Sequence, residues 1–376
     1  MVEEQKDLLG YLSIVPDPRL DRKKLHLLTD TLFLTVCASL SGCDTWSDIY
    51  LFAVEHKDWM QQYIGLANGI PSEDSIARVF ALIDPEKFEL AFRNWVCSLH
   101  TIEEGKVIPI DGKRVRGSGS GGKAAIHMVG AFAAESGLAL AQVKTEEKSN
   151  EITAIPELLD ALILNGCIVT IDAMGCQKGI VEKIVERGGE YVISLKGNQG
   201  SLHEDVKLFL ESAQEKKFAT LSHDYYETVE KGHGRVETRR YWVTEEIDWL
   251  PQKLGWKKLT SIGLVESEIY QNGKTTIENR CFINSIKPDA KRFSQAVRQH
   301  WAIENNLHWQ LDVSFDEDKL KMRAGYAAQN LSILRRMVLN LLKQDTSVKG
   351  SIKAKRKKAG WNKEYLRSLL EKLFNL

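Results

Sequence analysis

Two short apolar runs, each ending on an aspartate, constrain the fold of this chain more than any other feature. The first contains Val107, Ile108 and Ile110 and leads into Asp111, and the second spans residues 167–171 and leads into Asp172. Short runs rich in β-branched residues predict buried strands. Gly112 follows the first aspartate at once, so we expect the first strand to end at Asp111 and the chain to turn there.

The residues around the second run alternate between helical and strand patterns. Residues 151–164 and 177–187 carry apolar side chains at helical spacing, and residues 191–195 form a further apolar run. This alternation predicts a parallel α/β core. Ligands of such sheets bind beyond the carboxyl ends of the strands, so Asp111 and Asp172 are expected at one site.

The remaining patterns divide the chain into four parts. Residues 1–100 are predicted to form an all-helical domain, in which Ser72 is a plausible N-cap. The α/β core is predicted to comprise residues 101–200 and 285–345, interrupted at 201–284 by alternating segments typical of antiparallel strands. Residues 346–376 are predicted to be a basic tail that ends in a helix.

The charge of the chain is balanced overall but uneven along its length. Fifty-one Lys and Arg side chains match fifty-one Asp and Glu side chains, which argues against a protein that simply coats nucleic acid. Residues 349–376, however, carry nine Lys or Arg against two Glu, a net charge of +7. The basic run at 353–358 is therefore a candidate polyanion site, with a solvated linker before a helix at 363–374 as an equal alternative.

Several other patterns bear on where the protein works. No apolar run approaches the ~20 residues of a membrane span, and residues 1–6 lack a signal-peptide pattern. The six cysteines include no Cys-x-x-Cys pair, which indicates reduced thiols. We therefore expect a cytoplasmic protein without a membrane partner.

A third candidate acid lies on a predicted helix that begins near residue 289 or 294 and runs through Asp312. At about 100° per residue, one face of this helix carries His300, Glu304, His308 and Asp312. Asp111, Asp172 and Glu304, supplied by three separate elements, could hold two Mg²⁺ ions about 4 Å apart for chemistry on a phosphodiester. Oxygen ligands favour Mg²⁺, and Mn²⁺ could substitute for it.

Two alternatives to this hypothesis remain open. The spacing of His300, Glu304 and His308 would also suit a zinc hydrolase, although that hypothesis leaves both aspartates unexplained and the His-Glu-x-x-His spacing is missing. The other alternative is a DNA-binding protein built on an inactivated nuclease fold. The loss of any one acid would favour it, and all three acids are present.

Five ordered motifs closely resemble those of the H-repeat-associated insertion-sequence transposases, which belong to the DDE transposases. These motifs occupy residues 111–118, 148–152, 170–177, 191–199 and 300–313, and residues 71–78 resemble the N-terminal associated domain of the same proteins. The resemblance implies an RNase H-like core with a strand-rich insertion, in which Asp111, Asp172 and Glu304 match the metal-binding acids.

The resemblance also implies an activity and its partners. The activity would be Mg-dependent cleavage and strand transfer of an insertion sequence, in the nucleoid of a bacterial cytoplasm. The partners would be the double-stranded ends of the element and target DNA, bound by a homodimer. A domesticated or inactive copy that only binds DNA is the alternative.

Candidate DNA contacts come from the same motifs and from the loop after Asp111. They are Lys113, Arg114, Arg116, Lys148, Asn150, Lys196, Asn198, Gln199, Arg298, His300 and His308. The wider transposase clan carries Tyr, Arg, Glu and Lys around the glutamate, where this chain has Val297, His300, Glu304 and Leu311. Arg298 or Lys319 could replace the missing lysine. Glu151 is not expected to be a metal ligand.

Overall fold

The computed structural model describes residues 8–99, 104–122, 124–145, 151–232 and 234–374. The first of these ranges is helical, as predicted. Its helices are α1 (Leu8–Leu12), α2 (Leu28–Leu40), α3 (Trp46–Glu55), α4 (Lys57–Met60), α5 (Glu73–Leu82) and α6 (Pro85–Leu99). Ser72 caps α5 by accepting a hydrogen bond from the Ser75 amide, which confirms the N-cap expected there.

A single nine-stranded sheet forms the centre of the protein, in the order β3-β2-β1-β4-β5-β9-β8-β7-β6. The strands are β1 (Val107–Arg114), β2 (His127–Ala133), β3 (Leu138–Lys144), β4 (Ile168–Ile171), β5 (Glu190–Leu195), β6 (Asp224–Gly232), β7 (Arg235–Thr244), β8 (Ser261–Gln271) and β9 (Lys274–Asn284). β1, β4 and β5 are parallel neighbours, and the other pairings are antiparallel. The crossovers run through α7 (Glu151–Asp160) and α8 (Lys178–Glu186), so the predicted parallel α/β core is present.

The strands at 224–284 continue this sheet, because β9 pairs with β5 through Ile283 and Ile193. Helix α9 (Ser201–Glu215) precedes them. The antiparallel strands predicted for this region therefore extend the core and share its hydrogen-bonded framework.

Strand β1 does not end at Asp111. It pairs with β4 only as far as Ile110 and Ile171, but it continues beside β2 to Arg114. The predicted turn at Gly112 is therefore wrong. A Cβ atom at Gly112 would lie 2.1 Å from Oε1 of Glu151, so this glycine makes room for a neighbouring side chain inside the strand.

Helix α10 (Ala290–Ile303) lies against β1, β6 and β7. Its Phe293 ring fills the space above Gly263 of β8, where a Cβ atom would come within 2.5 Å of the ring. The same ring meets Phe282 edge-on, at 5.3 Å between centroids. This contact fixes the helix that leads to Glu304.

After α10 come a π-helical turn (Glu304–His308), α11 (Trp309–Ser314) and α12 (Ala327–Gln344). Helix α12 joins the N-terminal helices to the sheet by covering the free edge of β3. The Asn340 side chain accepts from the Ala139 amide at 2.8 Å and donates to its carbonyl at 2.9 Å. Glu89 of α6 accepts a hydrogen bond from the Gln142 amide at 2.9 Å. The Asn340 and Glu89 side chains therefore make hydrogen bonds to the edge of β3 that a further strand would otherwise make.

The basic run at 353–358 lies in helix α13 (Ile352–Trp361), which α14 (Lys363–Phe374) follows. The helix predicted at 363–374 is thus present, but the linker predicted before it is wrong. Lys355 and Arg356 are buried and bind within the protein, while Lys353, Lys357 and Lys358 are exposed. None of the helices in the described ranges is long and apolar enough to cross a membrane.

Candidate active site

All three predicted acids line one cavity of about 390 Å³ at the centre of the sheet. Asp111 and Asp172 come from adjacent strands, because the residues just before them, Ile110 and Ile171, are paired. Glu304 comes from the π-helical turn. The sheet order and the turn therefore bring together side chains that are far apart in sequence.

Asp172 is held by the short 3-10 turn that follows β4. Its Oδ1 accepts hydrogen bonds from the amides of Met174 at 3.0 Å and Gly175 at 3.3 Å. Its Oδ2 makes no hydrogen bond to the described part of the chain. One oxygen thus fixes the carboxylate, and the other remains for a ligand.

Asn198 and Gln199, which are predicted DNA contacts, donate hydrogen bonds to the turn that follows Asp172. The Asn198 amide donates to the Ala173 carbonyl at 2.7 Å, and the Gln199 amide donates to the Cys176 carbonyl at 2.5 Å. Both side chains therefore position the segment that follows Asp172.

Glu304 opens a turn in which the Trp309 amide donates to the Glu304 carbonyl, a bond between residues five apart. This wider π-helical turn interrupts the uniform helix that was predicted from residue 289 to 312. Such turns occur frequently at functional sites.

His308, at the other end of the turn, lies between two of the acids. Its Nδ1 is 3.0 Å from Oε2 of Glu304 and 3.5 Å from Oδ2 of Asp111. One potential ligand atom from each of the three residues lies within 4.8 Å of the others. His308 is only 4% exposed, and the DNA contact expected of it stays a prediction.

Burial and crowding of carboxylates shift proton affinities in this cavity. Burial, with further contributions from Glu151 and Asp172, raises the pKa of Asp111 to about 6, although His308 opposes the shift. The hydrogen bond from His308 lowers the pKa of Glu304. Asp111 is therefore the acid that most needs a neighbouring cation to stay ionised.

His300 faces a different neighbour. Its Nδ1 is 3.1 Å from Oγ1 of Thr170, and burial lowers its pKa, so the ring is neutral near pH 7. Among the described residues, the cluster formed by Asp111, Glu304 and His308 includes neither His300 nor Asp172. The three ligands of the zinc hypothesis therefore do not form one cluster.

Of the three basic side chains that follow Asp111, one is buried and two are exposed. Lys113 is 6% exposed, and its Nζ lies 2.5 Å from Oδ1 of Asp312 and 3.6 Å from Oδ1 of Asp318. This charge is therefore paired inside the protein, and the DNA contact expected of Lys113 stays a prediction. Arg114 and Arg116 are exposed.

The remaining predicted contacts lie at several places. Lys196 is exposed and lines the cavity. Arg298 pairs with Glu230 at 3.1 Å, and Lys319 pairs with Asp316 at 2.5 Å. Neither residue lines the cavity, where a replacement for the missing lysine would be expected. Lys148 and Asn150 lie outside the described residues.

The sequence did not reveal two further residues of the cavity, Arg280 and Trp301. The Arg280 guanidinium lies 5.8 Å from the centroid of the Trp301 ring. Arg280 reaches the cavity because β9 pairs with β5, a long-range contact for which the local pattern gives no signal.

Comparison with known proteins identifies the family. Residues 103–341 match the profile described as "Transposase DDE domain", and residues 9–96 match "DDE_Tnp_1-associated". The chain is 44% identical to "Putative transposase YncI" of Escherichia coli O157:H7, covering 97% of this chain and 94% of that protein. It is 43% identical to "H repeat-associated putative transposase YhhI" of Escherichia coli strain K12, covering 98% of each.

A more distant likeness is found among solved structures. The piggyBac transposase synaptic complex with hairpin DNA has a TM-score of 0.44 and 10% identity, over 97% of this chain and 78% of that chain. The expected resemblance is confirmed, and so is the expected α/β core with a preceding helical region. The family match over 103–341 and the identity over nearly the whole length show that this chain belongs to the DDE transposases.

Proposed function

We propose that this protein cleaves DNA at the ends of its own insertion sequence and transfers the cut strands to target DNA, with a divalent metal ion as cofactor. The observation that carries the proposal is the convergence of Asp111, Asp172 and Glu304 on one cavity. Membership of the DDE transposases supports it, since that family implies the use of a divalent metal.

The side chains present fit a hard divalent cation. Carboxylate oxygens are the donors that Mg²⁺ prefers, with Mn²⁺ as a substitute. Burial, with smaller contributions from Glu151 and Asp172, raises the pKa of Asp111, and a bound cation would oppose this shift. Bound ions would activate a water or a 3′ hydroxyl and stabilise the leaving oxygen of the phosphodiester.

Other side chains of the cavity suit a phosphate substrate. Lys196 places positive charge beside the acids, where a DNA phosphate would have to lie, whereas Arg280 is paired with Glu278 of the same cavity at 2.7 Å. Arg114 and Arg116 offer exposed charge on the segment after Asp111. Asn198 and Gln199 keep the turn after Asp172 in place.

We further propose that the protein acts on double-stranded DNA as a homodimer. Cutting both ends of an element requires two active sites, and each protomer supplies one. Light scattering on the complex with end DNA is expected to show two protomers, and a complex with one protomer would refute this part of the proposal.

The activity is tested with purified protein and DNA that carries the terminal repeats of the element. Cleavage is expected with Mg²⁺ or Mn²⁺, and Asp111→Asn, Asp172→Asn and Glu304→Gln should each abolish it while DNA binding persists. Asp316→Asn, which alters an acid outside the cavity, is the matched control and should cleave normally. If the wild-type protein bound the ends but never cut them, the DNA-binding alternative would replace the proposal.

A further inference from the structure

We propose that His308 is a nitrogen ligand of the divalent cation, which makes the site a mixed nitrogen and oxygen site. This inference rests on the proposed function, because His308 contacts two of the same acids. It adds a fourth residue to the three acids.

The distances around Nδ1 of His308 are those of neighbouring ligands on one ion. An octahedral ion with ligands at about 2.1 Å holds adjacent ligand atoms about 3 Å apart. Nδ1 of His308 lies 3.0 Å from the nearer Glu304 oxygen and 3.5 Å from the nearer Asp111 oxygen. A cation between these three atoms would replace the hydrogen bond that His308 now makes.

One nitrogen of the ring faces the acids. Nδ1 of His308 lies beside Glu304 and Asp111, whereas Nε2 is buried without a hydrogen-bond partner in the described ranges. The polar contacts of the ring are therefore directed to the two acids.

The backbone supports the same assignment. Glu304 and His308 are the first and last residues of the π-helical turn, and His308 is fixed by burial. A short π-helical segment within an α-helix is rare and is often found at a functional site. Here it presents a carboxylate and an imidazole together to Asp111.

A nitrogen ligand has a measurable consequence for metal preference. Mg²⁺ favours oxygen ligands, whereas imidazole suits borderline transition metals. The wild-type protein should therefore bind Mn²⁺ more tightly than Mg²⁺, and His308→Gln should reduce this difference.

The direct test is pulsed electron paramagnetic resonance on the full-length protein loaded with Mn²⁺. Nitrogen-14 modulation from a bound imidazole is expected in the wild type and absent in His308→Gln, which should also bind Mn²⁺ at least about tenfold more weakly. His300→Gln is the matched control, because His300 lines the same cavity but faces Thr170. It should keep the modulation.

Three outcomes would overturn the assignment. They are a wild-type spectrum without nitrogen modulation, modulation that persists in His308→Gln, and modulation that is lost only in His300→Gln. A wild-type spectrum without modulation refutes the assignment even if His308→Gln fails to fold, and His308→Asn provides a second variant that tests which histidine supplies the nitrogen. If Mn²⁺ bound without nitrogen coupling and DNA were still cut, only this inference would fail; if neither Mn²⁺ nor Mg²⁺ bound, the proposed function would fail as well.

Discussion

Replacing Arg356 with methionine is expected to destabilise the whole protein, although this residue belongs to the basic run that suggested a DNA contact. Its Nη2 lies 2.6 Å from Oδ1 of Asp44, and its Nε donates to the Ser39 carbonyl at 2.9 Å. The guanidinium also covers the Phe315 ring at 4.1 Å from the centroid. Arg356 thus ties α13 to α2 and to the end of α11.

The size of the effect follows from these contacts. Removing one partner of a buried ion pair costs about 3–5 kcal/mol, because the other charge is left uncompensated. At about 2.1 cal/mol/K per residue, the unfolding entropy of a chain of 376 residues is about 0.8 kcal/mol/K. The melting temperature of Arg356→Met should therefore fall by about 4–6 °C.

The assay is thermal unfolding followed by circular dichroism, with Lys357→Met as the matched control. Lys357 is the exposed neighbour in α13, so its replacement should change the melting temperature by less than about 1 °C. A normal melting temperature for Arg356→Met, combined with weakened DNA binding, would refute the structural role. Removing residues 349–376 should likewise unfold the protein, because Leu366, Leu369 and Leu370 of α14 are core residues.

Three further predictions concern other parts of the molecule. Burial raises the pKa of Glu89 from its usual 4.5 to about 7. Between these two pH values, the Glu89 carboxyl is protonated in the folded protein and ionised in the unfolded chain. Stability should therefore fall as pH rises from about 4.5 to 7, by at most about 3 kcal/mol, and an unchanged slope in Glu89→Gln thermal melts would contradict this. Gly263→Ala should cost about 1–3 kcal/mol of stability through overpacking against Phe293, and an unaltered melting temperature would show that the ring moves aside freely. Asn198→Ala should slow DNA cleavage about fivefold without changing DNA affinity, since it removes one hydrogen bond behind Asp172; equal rates would show that the turn is stable alone.

The sequence predicted the parts of the fold that depend on local pattern. The apolar runs before Asp111 and Asp172 are adjacent parallel strands, and the intervening helical patterns are crossover helices. The sequence also predicted the Ser72 N-cap, because Ser72 and its hydrogen-bond partner Ser75 are only three residues apart. These features need only the period of the side chains and the identity of their neighbours.

The sequence misplaced features that depend on what lies across the fold. Gly112 suggested a turn, but its small size accommodates Glu151, which comes from the start of α7. The uniform helix expected around Glu304 contains a π-helical turn, and helical periodicity alone gave no sign of it. Arg280 entered the cavity only through the pairing of β9 with β5, whereas Trp301 reaches it from α10.

What the sequence by itself determined is therefore the set of acids and the strands that carry two of them. Tertiary structure decided which charges are exposed to solvent and which hold the protein together. In the sequence, Lys113 and Arg356 look like any other positive charges. In the fold, Lys113 is buried against Asp312, 199 residues away in the chain, and Arg356 is buried against Asp44, 312 residues away. A buried charge is tolerable only beside its partner, and only the folded chain brings such distant partners together.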